Sequence, residues 1–326
     1  MRVLVTGANG FVGINIVKQL LIAGYEVVCT HRAIFDQASF NYLSDFKTSL
    51  IIEKLDITDY VAIQKLLEKY KLDRIIHAAG ITPTNLQETY ESYNIMDINL
   101  MGTVRLLNAA IDNHISRFVY VGSDGIYSQV SSNSEIVTEE HPTNLSNLYG
   151  IAKNASEKFC ARLQHLTGIE TCSGRVCATY GPMERPTNSR QNMSAIYLMA
   201  EAAFTGKTLR VKGLEVQKNW TYIDDIARAF VALIGIEKLS YSTYNISNGC
   251  AYSLQEVLDV FTQVEPRFSY QVVPENEAAD ISYNLNQQRG ILDISRLRDD
   301  IGYHPVNTLE SGIQEYLSWL KNYRSF

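Results

Sequence analysis

Apolar positions along this chain switch repeatedly between two periods. Arg2–Thr6 (RVLVT) is a short β-rich run. From Phe11 the apolar residues Val12, Ile16 and Leu20 recur at helical spacing, Gly24 closes that helix, and YEVVCT is the next strand. The same exchange continues downstream. SLIIEKLDITD predicts a strand running into a turn, YVAIQKLLEKY a helix, and DRIIHAAG a strand ending in small residues. NIMDINLMGTVRLLNAAIDN reads as one long helix and RFVYVGSDGIYS as a strand and loop. YGIAKNASEKFCARLQHLTG is a further helix and IETCSGRVCATYGP a sixth strand. Strand–helix alternation of this kind predicts an α/β fold with a doubly wound parallel sheet covered on both faces. Ligands of such sheets sit beyond the carboxyl ends of the strands.

The 326 residues suffice for one or two domains with a large core, and 46% apolar with 20% charged residues is the balance of a folded protein. A net charge of −6, with no basic run, excludes nucleic acid and an anionic membrane surface as main partners. The five cysteines are odd in number and include no Cys-x-x-Cys pair. Cys29 and Cys177 fall in apolar runs, so buried thiols in a reducing, cytoplasmic compartment are expected. The six histidines form no ligand grouping, so no metal site is expected. MRVLVTGANG reads as a strand from its start, so neither a secretory leader nor a membrane anchor is expected.

The chemistry begins between the first strand and the first helix. Gly7, Gly10 and Gly13 follow the strand at spacings of three. Glycines there permit a tight turn, let a pyrophosphate approach the backbone, and let the helix lie close to the sheet. The helix N-terminus offers N–H groups and a positive dipole end to the phosphates. The second strand should end at the adenine ribose, where a carboxylate reads NAD and an arginine accepts the extra phosphate of NADP. His31 stands where that acid is expected and Arg32 follows, which favours NADP over NAD. Further on, Tyr149 precedes Lys153 by four residues, the one Tyr-x-x-x-Lys among twenty tyrosines. On a helix the two share a face. Ser123 lies at the carboxyl end of the fifth strand.

TGANGFVG, the Ser123–Tyr149–Lys153 set and KNWTYIDDIARAF resemble the extended short-chain dehydrogenase/reductase superfamily, with its nucleotide-sugar epimerases and dehydratases. The likeness covers essentially the whole chain. It implies a Rossmann-type cofactor domain over 1–182 and 219–247, and a smaller, mostly C-terminal α/β substrate-binding domain over 183–218 and 248–326. It also implies cofactor contacts at Gly7, Gly10, Phe11, Val12 and Gly13. Asp56 and Ile57 would hold the adenine, His77, Ala78 and Ala79 would pass beneath the cofactor, and Asn99 would help position Lys153. Tyr149 would act as acid and base, its pKa drawn down by the Lys153 ammonium and an oxidised nicotinamide together, and Ser123 would bond the reacting oxygen. Lys153 would also hold the nicotinamide ribose.

Substrate contacts are expected from Ser123, Asp124, Arg185, Arg190 and Lys218. Sugar 4,6-dehydratases carry Asp then Glu in this loop, and here Asp124 is followed by Gly125, which disfavours dehydration. The family's second diphosphate arginine has no clean match; Arg289 is nearest. Three functions follow in order: a nucleotide-sugar epimerase using NADP or NAD, an NADP(H)-dependent reductase of a sugar or other carbonyl, and a non-catalytic nucleotide sensor. Related proteins pair two long helices across a two-fold axis. Ile95, Ile98, Val104 and Leu107 on one helix, with Ala155, Phe159 and Leu163 on the other, lead to the expectation of a homodimer.

Overall fold

The computed structural model describes residues 1–32, 34–130 and 134–324. The first half runs β1 (Arg2–Thr6), α1 (Phe11–Ile22), β2 (Glu26–His31), α2 (Gln37–Tyr42), β3 (Leu50–Lys54), α3 (Tyr60–Tyr70) and β4 (Arg74–His77). Then come α4 (Asn85–Tyr90), α5 (Ser92–Met96), α6 (Gly102–Asp112), β5 (Arg117–Ser123), β6 (Ile136–Val137), α7 (Leu148–Thr167) and β7 (Glu170–Val176). The second half holds β8 (Thr179–Tyr180), α8 (Ala195–Thr205), β9 (Leu209–Lys212), β10 (Gln217–Lys218), β11 (Thr221–Tyr222), α9 (Ile223–Gly235) and β12 (Thr243–Ile246). It closes with β13 (Tyr252–Ser253), α10 (Leu254–Val264), β14 (Tyr270–Val272), β15 (Ile281–Ser282), β16 (Ile291–Leu292), α11 (Ser295–Ile301) and α12 (Leu309–Arg324).

Seven strands form one parallel sheet in the order β12-β7-β5-β4-β1-β2-β3. Chain order reverses between β1 and β4, so a crevice opens beyond their carboxyl ends. Period-two alternation decides what each face meets. Val3 and Val5 of β1 join α1 and α9 in one cluster, with Ile14, Val17, Ile226 and Phe230. Leu4 points the other way, to Ile63, Leu66, Leu106 and Leu107 of α3 and α6. The smaller sheets gather beside the first of these clusters; β9 lies between β14 and β15, and β10 pairs with β13. Cys29, Cys160, Cys172 and Cys177 are buried free thiols and Cys250 is an exposed one.

Two sequence expectations change here. The helix expected over 94–113 is interrupted by a π-helical turn, Asp97–Met101, between α5 and α6. Such a turn loosens the i→i−4 ladder, and the Asn99 carbonyl instead accepts Ser156 Oγ at 3.1 Å and Thr103 Oγ1 at 3.3 Å. The apolar residues that pointed to a dimer are also largely covered within the chain. Ile95, Ile98 and Leu107 are buried, and Phe159 and Leu163 pack against the α3–α6 cluster. What this pair of helices leaves exposed is Met101, Ile151 and Leu166.

Candidate active site

The glycine turn fits a dinucleotide pyrophosphate. Gly7 has φ +67°, and a side chain on it would meet Ala79 Cα at 2.6 Å; one on Gly13 would meet the Gly7 carbonyl at 2.3 Å. The turn therefore lies flat on the Ala78–Ala79 backbone after β4. No side chain caps α1, whose N-cap is Gly10, so its first-turn N–H groups at Phe11, Val12 and Gly13 have no side-chain acceptor there, the arrangement that suits an anion. At the next strand end, the parallel register sets His31 beside Lys54, and Arg32 is exposed. Burial and Lys54 hold the His31 imidazole below its ordinary pKa. Asp56 Oδ1 accepts from Thr58 N at 2.9 Å and Oγ1 at 2.8 Å, while Asp59 caps α3. Ile57 is buried against Gly102.

A cavity of about 440 Å³ brings the reactive candidates together. Gly7, Gly10, Phe11, Val12, Gly13 and Ala78 line it together with Ser123, Asp124, Tyr149 and Lys153. Arg185, Arg190 and Lys218 come from the later segments. His31, Arg32, Asp56, Ile57, His77, Ala79 and Asn99 do not line it.

Helix α7 sets the tyrosine and lysine. The Asn147 side chain caps it by accepting from Gly150 N at 2.7 Å, and Glu88 of α4 accepts from Leu148 N at 2.8 Å. Lys153, one turn after Tyr149, donates to the Val121 carbonyl at 2.8 Å. Its Nζ is 5.6 Å from the Tyr149 ring centre and 4.9 Å from that of Tyr120. Burial brings the Lys153 amine down to about 8. Burial raises the pKa of the Tyr149 hydroxyl, and the Ser123 and Thr82 hydroxyls and the Arg190 charge offset part of this. The reason is desolvation, which opposes the phenolate of a buried hydroxyl.

Asn99 does not touch Lys153. Its amide accepts from Ile81 N at 2.8 Å and donates to Ile81 O at 2.9 Å, so it fixes the loop that carries Thr82. His77 points into the core rather than under a cofactor. Its ring nitrogens meet Thr6 Oγ1 at 2.7 Å and Thr103 Oγ1 at 3.1 Å, and burial takes it down to about 3, a neutral bridge between β4 and α6.

The two loop arginines are already paired. Arg185 Nη2 meets Asp36 Oδ2 at 2.8 Å, and Arg190 Nη2 meets Glu184 Oε1 at 2.8 Å. Asp36 itself caps α2 through Ser39 N. Ser189 O accepts from Thr82 N at 2.9 Å. Residues 183–194 thus form a strap from the loop after β2, past the glycine turn, to the loop after β4. At the far end, Lys218 Nζ lies 3.8 Å from the Tyr283 ring centre, and burial with the charge of Arg289 brings its amine to about 8. Burial raises the Asp124 carboxyl while Arg289 and Lys218 oppose the shift. The sequence reading missed Thr82, Glu184, Glu88 and Tyr283. Thr82, Glu88 and Tyr283 act on partners more than fifty positions away, and Glu184 holds Arg190 and Ser194 of its own loop at no regular spacing.

A uncapped glycine turn at the switch point of a parallel sheet, with serine, tyrosine and lysine converging beside it, defines a nicotinamide-dependent oxidoreductase site of the extended short-chain type. The model of the NAD dependent epimerase/dehydratase family matches residues 3–247, and the chain belongs to that family of enzymes. It is 24% identical over 340 residues to a dTDP-glucose 4,6-dehydratase of Neisseria meningitidis serogroup B, covering 98% of this chain and 92% of that protein. It is also 24% identical over 330 residues to a UDP-glucuronate 4-epimerase of Thermodesulfobacterium geofontis, covering 98% and 95%. Among solved structures, UDP-glucose-4-epimerase of Stenotrophomonas maltophila, with bound NAD and formylated UDP-arabinopyranose, shares the fold. Its TM-score is 0.86 at 20% identity, over 100% of this chain and 99% of that one. No helix among the described residues is long and apolar enough to cross a membrane.

Proposed function

We propose that the protein is a nucleotide-sugar epimerase. Tyr149 takes the proton from a ring hydroxyl as that carbon is oxidised, and returns it when the carbonyl is reduced from the other face. A bound nicotinamide supplies the hydride acceptor and donor. Ser123 hydrogen-bonds the same substrate oxygen, and Lys153, held by the Val121 carbonyl, orients the nicotinamide ribose. The glycine turn and the N-terminus of α1 bind the pyrophosphate. Lys218 and Arg289, beside Tyr283 in the same cavity, suit the diphosphate of a nucleotide sugar. Gly125 leaves the loop without the second carboxylate of a dehydratase. The five free thiols suit the cytoplasm.

The observation that carries the epimerase reading is the strap over residues 183–194. Pinned to Asp36 on one side and Thr82 on the other, it favours a cofactor kept through turnover, as an epimerase requires. An NADP(H)-dependent reductase is the second reading. It is favoured by the end of β2, where His31 and the exposed Arg32 stand in the position of the expected acid and Lys54 lies beside His31 in the sheet. The intact Ser123–Tyr149–Lys153 set argues against a pure sensor. We further propose that two copies pair through α7 and the π-helical turn leading into α6, over Met101, Ile151 and Leu166, in the commonest oligomer symmetry.

The test is to incubate purified protein with nucleotide sugars, with and without added NAD(H) or NADP(H), and to assay released dinucleotide after denaturation. The epimerase reading expects co-purified dinucleotide and isomerisation without addition. Tyr149→Phe should lower turnover at least about a hundredfold, the low end for general acid–base catalysis, while keeping the dinucleotide. Strict dependence on added reduced cofactor, or a Tyr149→Phe protein near wild-type turnover, would reject it.

A further inference from the structure

The strap over residues 183–194 has two kinds of fastening. The inner ones tie it to itself. Glu184, whose side chain is fully buried, accepts from Arg190 Nη2 at 2.8 Å and from Ser194 N and Oγ at 2.7 Å each. Ser194 in turn caps α8 by accepting from Tyr197 N. Thr187 and Arg190 exchange backbone hydrogen bonds of 2.8 and 3.1 Å. A loop whose ends are clasped in this way is a compact Ω-loop and keeps its shape as a unit.

The outer fastenings tie that unit to the dinucleotide domain, and they are unequal. At the base, the Pro182 carbonyl accepts at 2.9 Å from Nδ2 of Asn15, which is fully buried in α1. Met183 follows, buried and in left-handed backbone at φ +68°. That conformation is costly for a residue with a side chain and recurs at clamps and switch segments. At the side, Arg185 Nη2 donates to Asp36 Oδ1 at 3.0 Å and Oδ2 at 2.8 Å, and lies 3.1 Å from Ser39 Oγ. The Asp36 side chain is 47% exposed and that of Arg185 23%. Water and salt therefore reach this pair, while the Asn15 and Glu184 anchors are out of their reach.

The strap shares one cavity with the glycine turn and Lys153, lining it through Thr187, Ser189, Arg190 and Met193. It also sits on the start of α1, where the Arg190 guanidinium is 5.3 Å from the centre of the Phe11 ring. We propose that the strap is the gate for dinucleotide exchange and that the Arg185–Asp36 ion pair is its latch. The pair opens, the loop swings as one piece about Met183, and the cofactor passes in either direction. This rests on the dinucleotide site of the proposed function and not on its sugar chemistry. A latch acts on the barrier between the free and bound states. Asp36 spends its bonds on Arg185 and on Ser39 N, and it does not line the cavity. Losing it therefore speeds entry and exit together and leaves the dissociation constant nearly unchanged. A residue that gripped the cofactor would instead speed exit and weaken binding by the same factor.

The experiment uses the protein loaded with NADH. Release is followed by the loss of nicotinamide fluorescence on mixing with excess NAD, and the dissociation constant is measured separately by equilibrium dialysis. Asp36→Ser keeps an oxygen that caps α2 and removes the carboxylate. Release should be about threefold to fivefold faster, the upper end for a partly exposed ion pair, with the dissociation constant within about twofold of wild type. Added salt should speed release from the wild type towards the variant's rate and change the variant less, because ions screen the pair. Should Asp36→Ser fail to fold, Asp36→Asn, which also caps a helix, carries the same test. An unchanged release rate in the folded variant overturns the proposal. So does faster release matched by an equal rise in the dissociation constant, which would make the pair a holder of the bound state. Both quantities are read without a sugar, so a failure of the epimerase reading leaves them standing.

Discussion

Arg175 and Glu157 give the sharpest stability prediction. Arg175 on β7 and Glu157 on α7 are 2% and 3% exposed, and they pair through two contacts, Nε to Oε2 at 2.9 Å and Nη2 to Oε1 at 2.5 Å. Arg175 Nη1 also donates to Tyr127 Oη at 2.6 Å and to the Glu139 carbonyl at 2.7 Å. Arg175→Met fills similar space but leaves a carboxylate in the interior, and Lys158, 3.7 Å away, is 68% exposed and poorly placed to replace the guanidinium. Breaking a buried pair from one side costs about 3–5 kcal/mol. That is a large part of the roughly 5–15 kcal/mol by which folded domains are stable. Arg175→Met/Glu157→Leu removes both charges, and apolar replacement of a whole buried pair is commonly neutral or better. The double variant should therefore be more stable than the Arg175→Met single, despite carrying one more substitution. Urea unfolding with a common m value measures this. Because Glu157 sits one turn beyond Lys153, activity should fall with the single variant and recover in part with the double. A single-variant loss below about 1 kcal/mol, against the expected 3–5, would refute the reasoning. A double variant less stable than Arg175→Met would refute it equally.

Two further outcomes test separate surfaces. Arg32→Ala should weaken NADP(H) binding more than NAD(H) binding by calorimetry, because only the former presents a 2′-phosphate; equal weakening would show that Arg32 does not read it. Sedimentation at micromolar concentration should show a dimer that Met101→Lys dissociates, since an unpaired charge in an apolar interface is costly. A single species at the mass of one chain would remove the pairing through α7 and the π-helical turn.

What the sequence disclosed was local. Gly7, Gly10 and Gly13 sit within one turn, Tyr149 and Lys153 within one helical turn, and each strand shows its period over five or six residues. The glycine turn and the serine–tyrosine–lysine set are therefore legible in the sequence. The strap is not. Arg185 finds Asp36 across 149 positions, and Thr82 finds Ser189 through backbone atoms that carry no residue signature. Residue type foretold cations at 185 and 190 but not the carboxylates that hold them. The π-helical turn was hidden for a related reason: Asn99 is drawn out of a regular helix by the backbone of Ile81, a tertiary contact. Burial was the other blind spot. It takes His77 into the core and raises the Tyr149 pKa, and neither effect has a spacing to read.

The seventh strand of the sheet has a consequence for how the protein is made. β12 pairs with β7, yet everything from β8 to α9 lies between them in the chain. During synthesis β7 is complete while its neighbour does not yet exist, and roughly several seconds separate them at ordinary elongation rates. Over that interval β7 is an open edge with unpaired N–H and C=O groups, the kind that recruits another chain. Phe230 and Ile246, which later close over Gly174, are still missing as well. The segment that carries the strap therefore also sets the earliest moment at which the nucleotide-binding sheet can finish folding. A nascent chain stalled within that segment would expose the sheet at its most adhesive.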